Sequence, residues 1–104
     1  MSTEIPARRV LNYSATEKAG DFFLTPSNNG VRRLSFLCPC GCGILAGIKV
    51  RDDGKMLDGA WAWDRNEEKP TCAPSINIMG DRNDDGTVPS HWHGYLTNGV
   101  FRSC

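Results

Sequence analysis

Trp92-His93-Gly94-Tyr95-Leu96-Thr97-Asn98-Gly99-Val100-Phe101-Arg102-Ser103 reads as a β-hairpin. A type I′ turn needs positive φ at both central residues, and Asn-Gly tolerates this best. Residues 92–97 and 100–103 are therefore expected to pair as antiparallel strands around Asn98-Gly99. Upstream, Ser75–Met79 reads as a short strand. It follows Pro70-Thr71-Cys72-Ala73-Pro74, which is stiff because each proline fixes its own φ and restricts the residue before it.

The same pattern continues toward the N-terminus. Met56–Asp64 places Trp61 and Trp63 at period two, so both indoles belong on one sheet face. Ile44–Val50 is rich in β-branched residues, and Val31–Leu37 runs directly into a group of cysteines. Asp21–Thr25 is a strand stopped by Pro26. Ser27–Gly30 and Arg51–Gly54 are turn clusters, while Arg65–Lys69 and Gly80–Pro89 are polar loops. Residues 1–20 read as a polar, irregular extension with a weak helical stretch near Ala15–Ala19, and α+β is the alternative fold class. No internal repeat, low-complexity segment or sustained helical period is present. The expected fold is a single, mostly β, antiparallel domain over residues 1–104.

The 104 residues carry 12 Lys+Arg against 12 Asp+Glu. This balance removes the strong field that nucleic acid or an anionic membrane would attract, so Arg8-Arg9 and Arg32-Arg33 read as local charge rather than a nucleic-acid surface. No apolar run approaches the roughly 20 residues of a membrane span, and no signal peptide is legible at the N-terminus. The expected compartment is the cytoplasm, where disulfides do not persist and five cysteines cannot all pair internally.

Cys38-Pro39-Cys40-Gly41-Cys42 places three thiols within five residues. A straight strand would spread them too far for one tetrahedral ion, but Pro39, Gly41 and Gly43 indicate a bend. The chemistry points to one zinc ion, with iron as the other metal such a cluster holds. The thiols supply two or three ligands. His91 and His93, the only histidines, are the source of the remainder. Cys72 and Cys104, taken singly, read as small buried hydrophobes. A second ion site, for calcium, is suggested by Asp81-Arg82-Asn83-Asp84-Asp85-Gly86, but the twelfth position of that loop is Trp92 instead of Glu.

Cys38-Pro39-Cys40-Gly41-Cys42-Gly43, the tryptophan strand, Pro70-Thr71-x-x-Pro74-Ser75-Ile76 and the strand carrying His93 together resemble a family of uncharacterised small proteins of bacteriophages and bacteria. Some of its members carry an "ammonia monooxygenase" label. The resemblance covers roughly residues 33–102 and implies a metal-binding β fold without implying a reaction. In that family the late motif usually reads Cys-x-x-His. The cysteine position falls here on Ser90, so either His91 replaces the missing thiolate, or Cys38, Cys40, Cys42 and His93 close the site.

From these features the expected function is a zinc-stabilised, non-enzymatic accessory module, phage or bacterial, that binds a protein partner. The tryptophans would mainly fill the core. The alternative is a zinc-dependent hydrolase or deaminase with an open metal position, and Asp64 or Glu68 as general base.

Overall fold

The computed structural model describes residues 4–79, 84–87 and 90–103. Cys104 and residues 81–83 of the calcium-like loop lie outside them. Among the described residues nine strands run in chain order: β1 (Glu4–Pro6), β2 (Arg8–Arg9), β3 (Asp21–Leu24), β4 (Val31–Leu37), β5 (Leu45–Arg51), β6 (Ala62–Trp63), β7 (Cys72–Met79), β8 (Ser90–Thr97) and β9 (Val100–Ser103). They form a five-stranded sheet of order β1-β9-β8-β7-β6 and a four-stranded sheet of order β2-β3-β4-β5. Every strand pair is antiparallel except β2–β3. The fold is mostly β; among the described residues there is one short 3₁₀ turn, at Tyr13–Ala15, and no helix long and apolar enough to cross a membrane.

The alternation of apolar and polar residues in each sheet decides what is buried. Leu34, Phe36, Ile48, Val50 and Phe22 of the four-stranded sheet meet Trp63, Ile76, Trp92, Leu96 and Phe101 of the five-stranded one. This is the interdigitation of a two-sheet sandwich. Phe36 and Phe101 stack across the interface with ring centroids 4.8 Å apart, and Trp92 meets Phe101 edge-on at 6.0 Å. Cys72 sits in the same cluster at 3% exposure, as a small hydrophobe would, and burial pushes its thiol up to about 12.

The hairpin forms as its sequence predicts: Asn98 and Gly99 both have positive φ, 49° and 74°. The stretch expected to be irregular instead supplies two strands. β1 adds to the free side of β9, pairing Glu4 with Arg102, and β2 runs beside β3. An ion pair secures β2. The Asp21 carboxylate, 1% exposed, accepts from Arg8 Nε at 2.9 Å and Nη2 at 2.6 Å, and from the backbone N–H groups of Glu17 and Lys18. These donors, Arg8 foremost, hold its pKa far below the usual carboxylate range. The strand read over Met56–Asp64 shortens to Ala62–Trp63, because Asp58 and Gly59 take positive φ (55° and 80°) in a turn.

The β7–β8 ladder is broken in two places. The register shifts between Cys72↔Leu96 and Ile76↔Gly94, so Ala73, Pro74 and Ser75 face the single residue Tyr95. It shifts again between Ile78↔Trp92 and Met79↔Ser90, leaving His91 as an extra residue in β8. Bulges of this kind bend a strand and re-aim side chains.

Candidate metal centre and serine–histidine pair

Residues 38–44 follow β4 and turn back into β5. Cys38 N–H donates to the Ile44 carbonyl at 2.8 Å and Gly41 N–H to the Cys38 carbonyl at 3.0 Å. Gly41 and Gly43 take φ of 89° and 83°, a conformation costly for any residue with a Cβ. The three thiols thereby converge. Cys38 Sγ lies 3.3 Å from Cys40 Sγ, while His91 Nε2 lies 3.3 Å from Cys40 Sγ and 3.2 Å from Cys42 Sγ. All four donor atoms fall within 4.8 Å of one another. Tetrahedral zinc with bonds of about 2.3 Å to sulfur spaces its ligands by about 3.8 Å, so the donors need move only slightly to close on one ion. Three sulfurs and one imidazole are also the donor chemistry of a closed structural site.

The thiols are electrostatically unequal. Cys38 is buried, and desolvation pushes its pKa up to about 12. Cys42 is exposed; the Ile44 N–H, and after it His91 and the neighbouring thiols, bring its pKa down to about 7. The lowered pKa favours the thiolate form of Cys42, the form that binds a metal.

His93 lies elsewhere. His91 and His93 are two apart, and in an unbroken strand they would share a face. The bulge at His91 separates them: His91 turns to the cysteine loop of the other sheet, whereas His93 stands on the exposed side of the five-stranded sheet. There its Nε2 is 2.9 Å from Ser75 Oγ. Ser75 belongs to the other ladder break, the segment containing the cis Ala73–Pro74 bond. With the ring proton on Nδ1, the Ser75 hydroxyl donates to Nε2.

The remaining sequence candidates have local roles. Asp64 Oδ1 accepts from the Asn66 and Thr71 N–H groups and so shapes the 64–71 loop. Glu68 pairs with Arg9 at 2.7 Å, and Glu67 with Arg9 and Arg32. Neither Asp64 nor Glu68 joins the metal cluster. Trp63 and Trp92 are core residues, and Trp61 packs half-buried against the core cluster.

Ser75 does not stand out in the sequence, because a serine after proline is an ordinary turn residue. Its one distinguishing sign is membership of the Pro70-Thr71-x-x-Pro74-Ser75-Ile76 motif in the same chain as a motif ending in His93.

A family model described as "Bacterial ubiquitination-like system serine protease (BubE)" matches residues 9–104. That description names a serine protease and does not mention the ammonia monooxygenase label attached to some of the small phage and bacterial proteins. No curated protein matches the chain, and no solved structure does.

Proposed function

The chain belongs to the family of bacterial ubiquitination-like system serine proteases (BubE), and from that membership we propose that it is a serine protease of such a system, with Ser75 as nucleophile and His93 as general base. The observation that carries the reading is the 2.9 Å approach of Ser75 Oγ to His93 Nε2 on an exposed sheet face. A serine hydroxyl is a weak nucleophile until a neighbouring base accepts its proton. In the first step Oγ bonds to the carbonyl carbon of the substrate while Nε2 takes the hydroxyl proton. The imidazolium then gives that proton to the leaving group as the acyl bond breaks. A water attacks the acyl-enzyme, His93 takes its proton, and Ser75 is regenerated when the proton returns to Oγ.

In this reading the protein partner is the substrate polypeptide, replacing a non-enzymatic module that merely binds. Cys38, Cys40, Cys42 and His91 hold zinc, one ion per chain, as a cross-link between the β4–β5 turn and the start of β8. Four protein donors leave no position for a catalytic water, which argues against a zinc hydrolase. Sulfur ligation of this kind suits a reducing cytoplasm.

The test is hydrolysis of a small activated ester such as p-nitrophenyl acetate. Ser75→Ala and His93→Ala should each lower kcat/KM by about 10³-fold or more, with the fold and metal content unchanged. Wild-type turnover by Ser75→Ala would remove the nucleophile assignment.

A further inference from the structure

Trp61 is tied to both sheets at the point where Ser75 is presented. Its backbone N–H donates to the Lys49 carbonyl at 2.8 Å, and Trp61 forms a parallel bridge with Val50 of β5. Its indole Nε1–H reaches the other way, to the Pro74 carbonyl at 3.1 Å and the Ser75 carbonyl at 3.3 Å. Regular pairing on that side of β7 ends with Ala62↔Ala73. On the other side the β8 ladder is broken until Ile76↔Gly94. Pro74 and Ser75 thus sit where neither neighbouring strand fixes the backbone by regular pairing, and the indole N–H takes over that task.

We propose that Trp61 is a positioning residue for the reaction: its indole N–H clamps the Pro74 and Ser75 carbonyls and so fixes the direction in which Ser75 Oγ meets His93. The inference rests on the reading of Ser75 as nucleophile. A serine on a bulge has more freedom than one inside a ladder, and a misplacement on the order of 1 Å costs about 10²-fold in rate. Trp63 is the internal control. Its Nε1 also donates to a backbone carbonyl, that of Arg51 at 2.6 Å, but this bond does not touch the β7 bulge.

The experiment measures the second-order rate at which a fluorophosphonate labels the full, metal-loaded chain. In that reaction Ser75 Oγ bonds to phosphorus, fluoride leaves, and His93 takes the hydroxyl proton. Trp61→Phe should label about 10- to 100-fold more slowly than wild type, whereas Trp63→Phe should lower the melting midpoint and leave the rate of the folded protein within about twofold of wild type. Replacing Trp61 by 3-benzothienylalanine keeps the fused-ring shape and removes only the N–H, so it gives the same comparison without a volume change. Wild-type labelling by either Trp61 variant, or equal slowing by the Trp61 and Trp63 variants, overturns the role of Trp61. A wild-type protein that does not label at all removes the nucleophile reading and this inference with it; labelling that is indifferent to Trp61 removes the inference alone.

Discussion

Removing the metal should cost this domain a large part of its stability. The cluster joins the 38–44 turn, which leads from β4 into β5, to the first residues of β8. Within that turn two backbone–backbone hydrogen bonds, Cys38 N–H to the Ile44 carbonyl and Gly41 N–H to the Cys38 carbonyl, hold the loop. Gly41 and Gly43 keep positive φ that an unconstrained chain would seldom populate together. A cation that binds only the folded form adds RT ln(1 + [L]/Kd), or about 4 kcal/mol at a thousandfold excess over Kd. For a domain of about 100 residues each kcal/mol moves Tm by about 4–8 °C. A strong chelator should therefore lower the melting midpoint by roughly 15–30 °C. Cys42→Ser and His91→Ala should melt low from the start and respond much less to chelator. The assay is thermal circular dichroism, with metal measured on the same samples by inductively coupled plasma mass spectrometry. A melting curve indifferent to chelator, in a sample shown to have lost its metal, would refute the reasoning. So would a full metal complement in His91→Ala.

Other perturbations have defined outcomes. Phe101→Ala empties a fully buried position against Phe36 and Trp92 and should cost about 3–5 kcal/mol in urea unfolding. Asp21→Asn loses a charge-assisted pair with Arg8 and should cost about 2 kcal/mol. Because the folded pKa of Asp21 lies below its ordinary value of 3.8, the wild-type contribution is fully present above that value and fades as pH falls below it. Titrating urea midpoints from pH 6 to pH 2 should show an acid-dependent loss that is smaller in Asp21→Asn, where only other carboxylates such as Asp53 still contribute. Gly94→Ala would drive a Cβ into the Arg102 carbonyl and to 2.7 Å from the Trp92 indole. It should loosen the β8–β9 pairing beside His93 and lower ester turnover together with Tm, measured side by side.

Legibility in the sequence depends on how local each determinant is. β4 is legible at both ends, because Gly30 precedes it and the cysteine turn comes directly after it. The terminal hairpin is equally clear, since Asn98-Gly99 fixes a register by itself. The cysteine turn announces its chemistry through residue type and spacing. The partition of His91 and His93 is not legible. It depends on one extra residue in β8, and a bulge is defined only by what the neighbouring strand does. Ser75 is invisible for the same reason: its partner lies 18 positions away and reaches it across a broken ladder. Glu4–Pro6 and Arg8–Arg9 are too short to carry a period. They become strands because β9 and β3 offer free edges, and because Asp21 holds Arg8.

The most direct measurement is peptide mass mapping of the folded chain after exposure to a fluorophosphonate. A single adduct on Ser75, absent after His93→Ala, is the expected result. An adduct confined to another serine, or none on a protein verified as folded and metal-loaded, would contradict the pairing of Ser75 with His93 as the reacting centre.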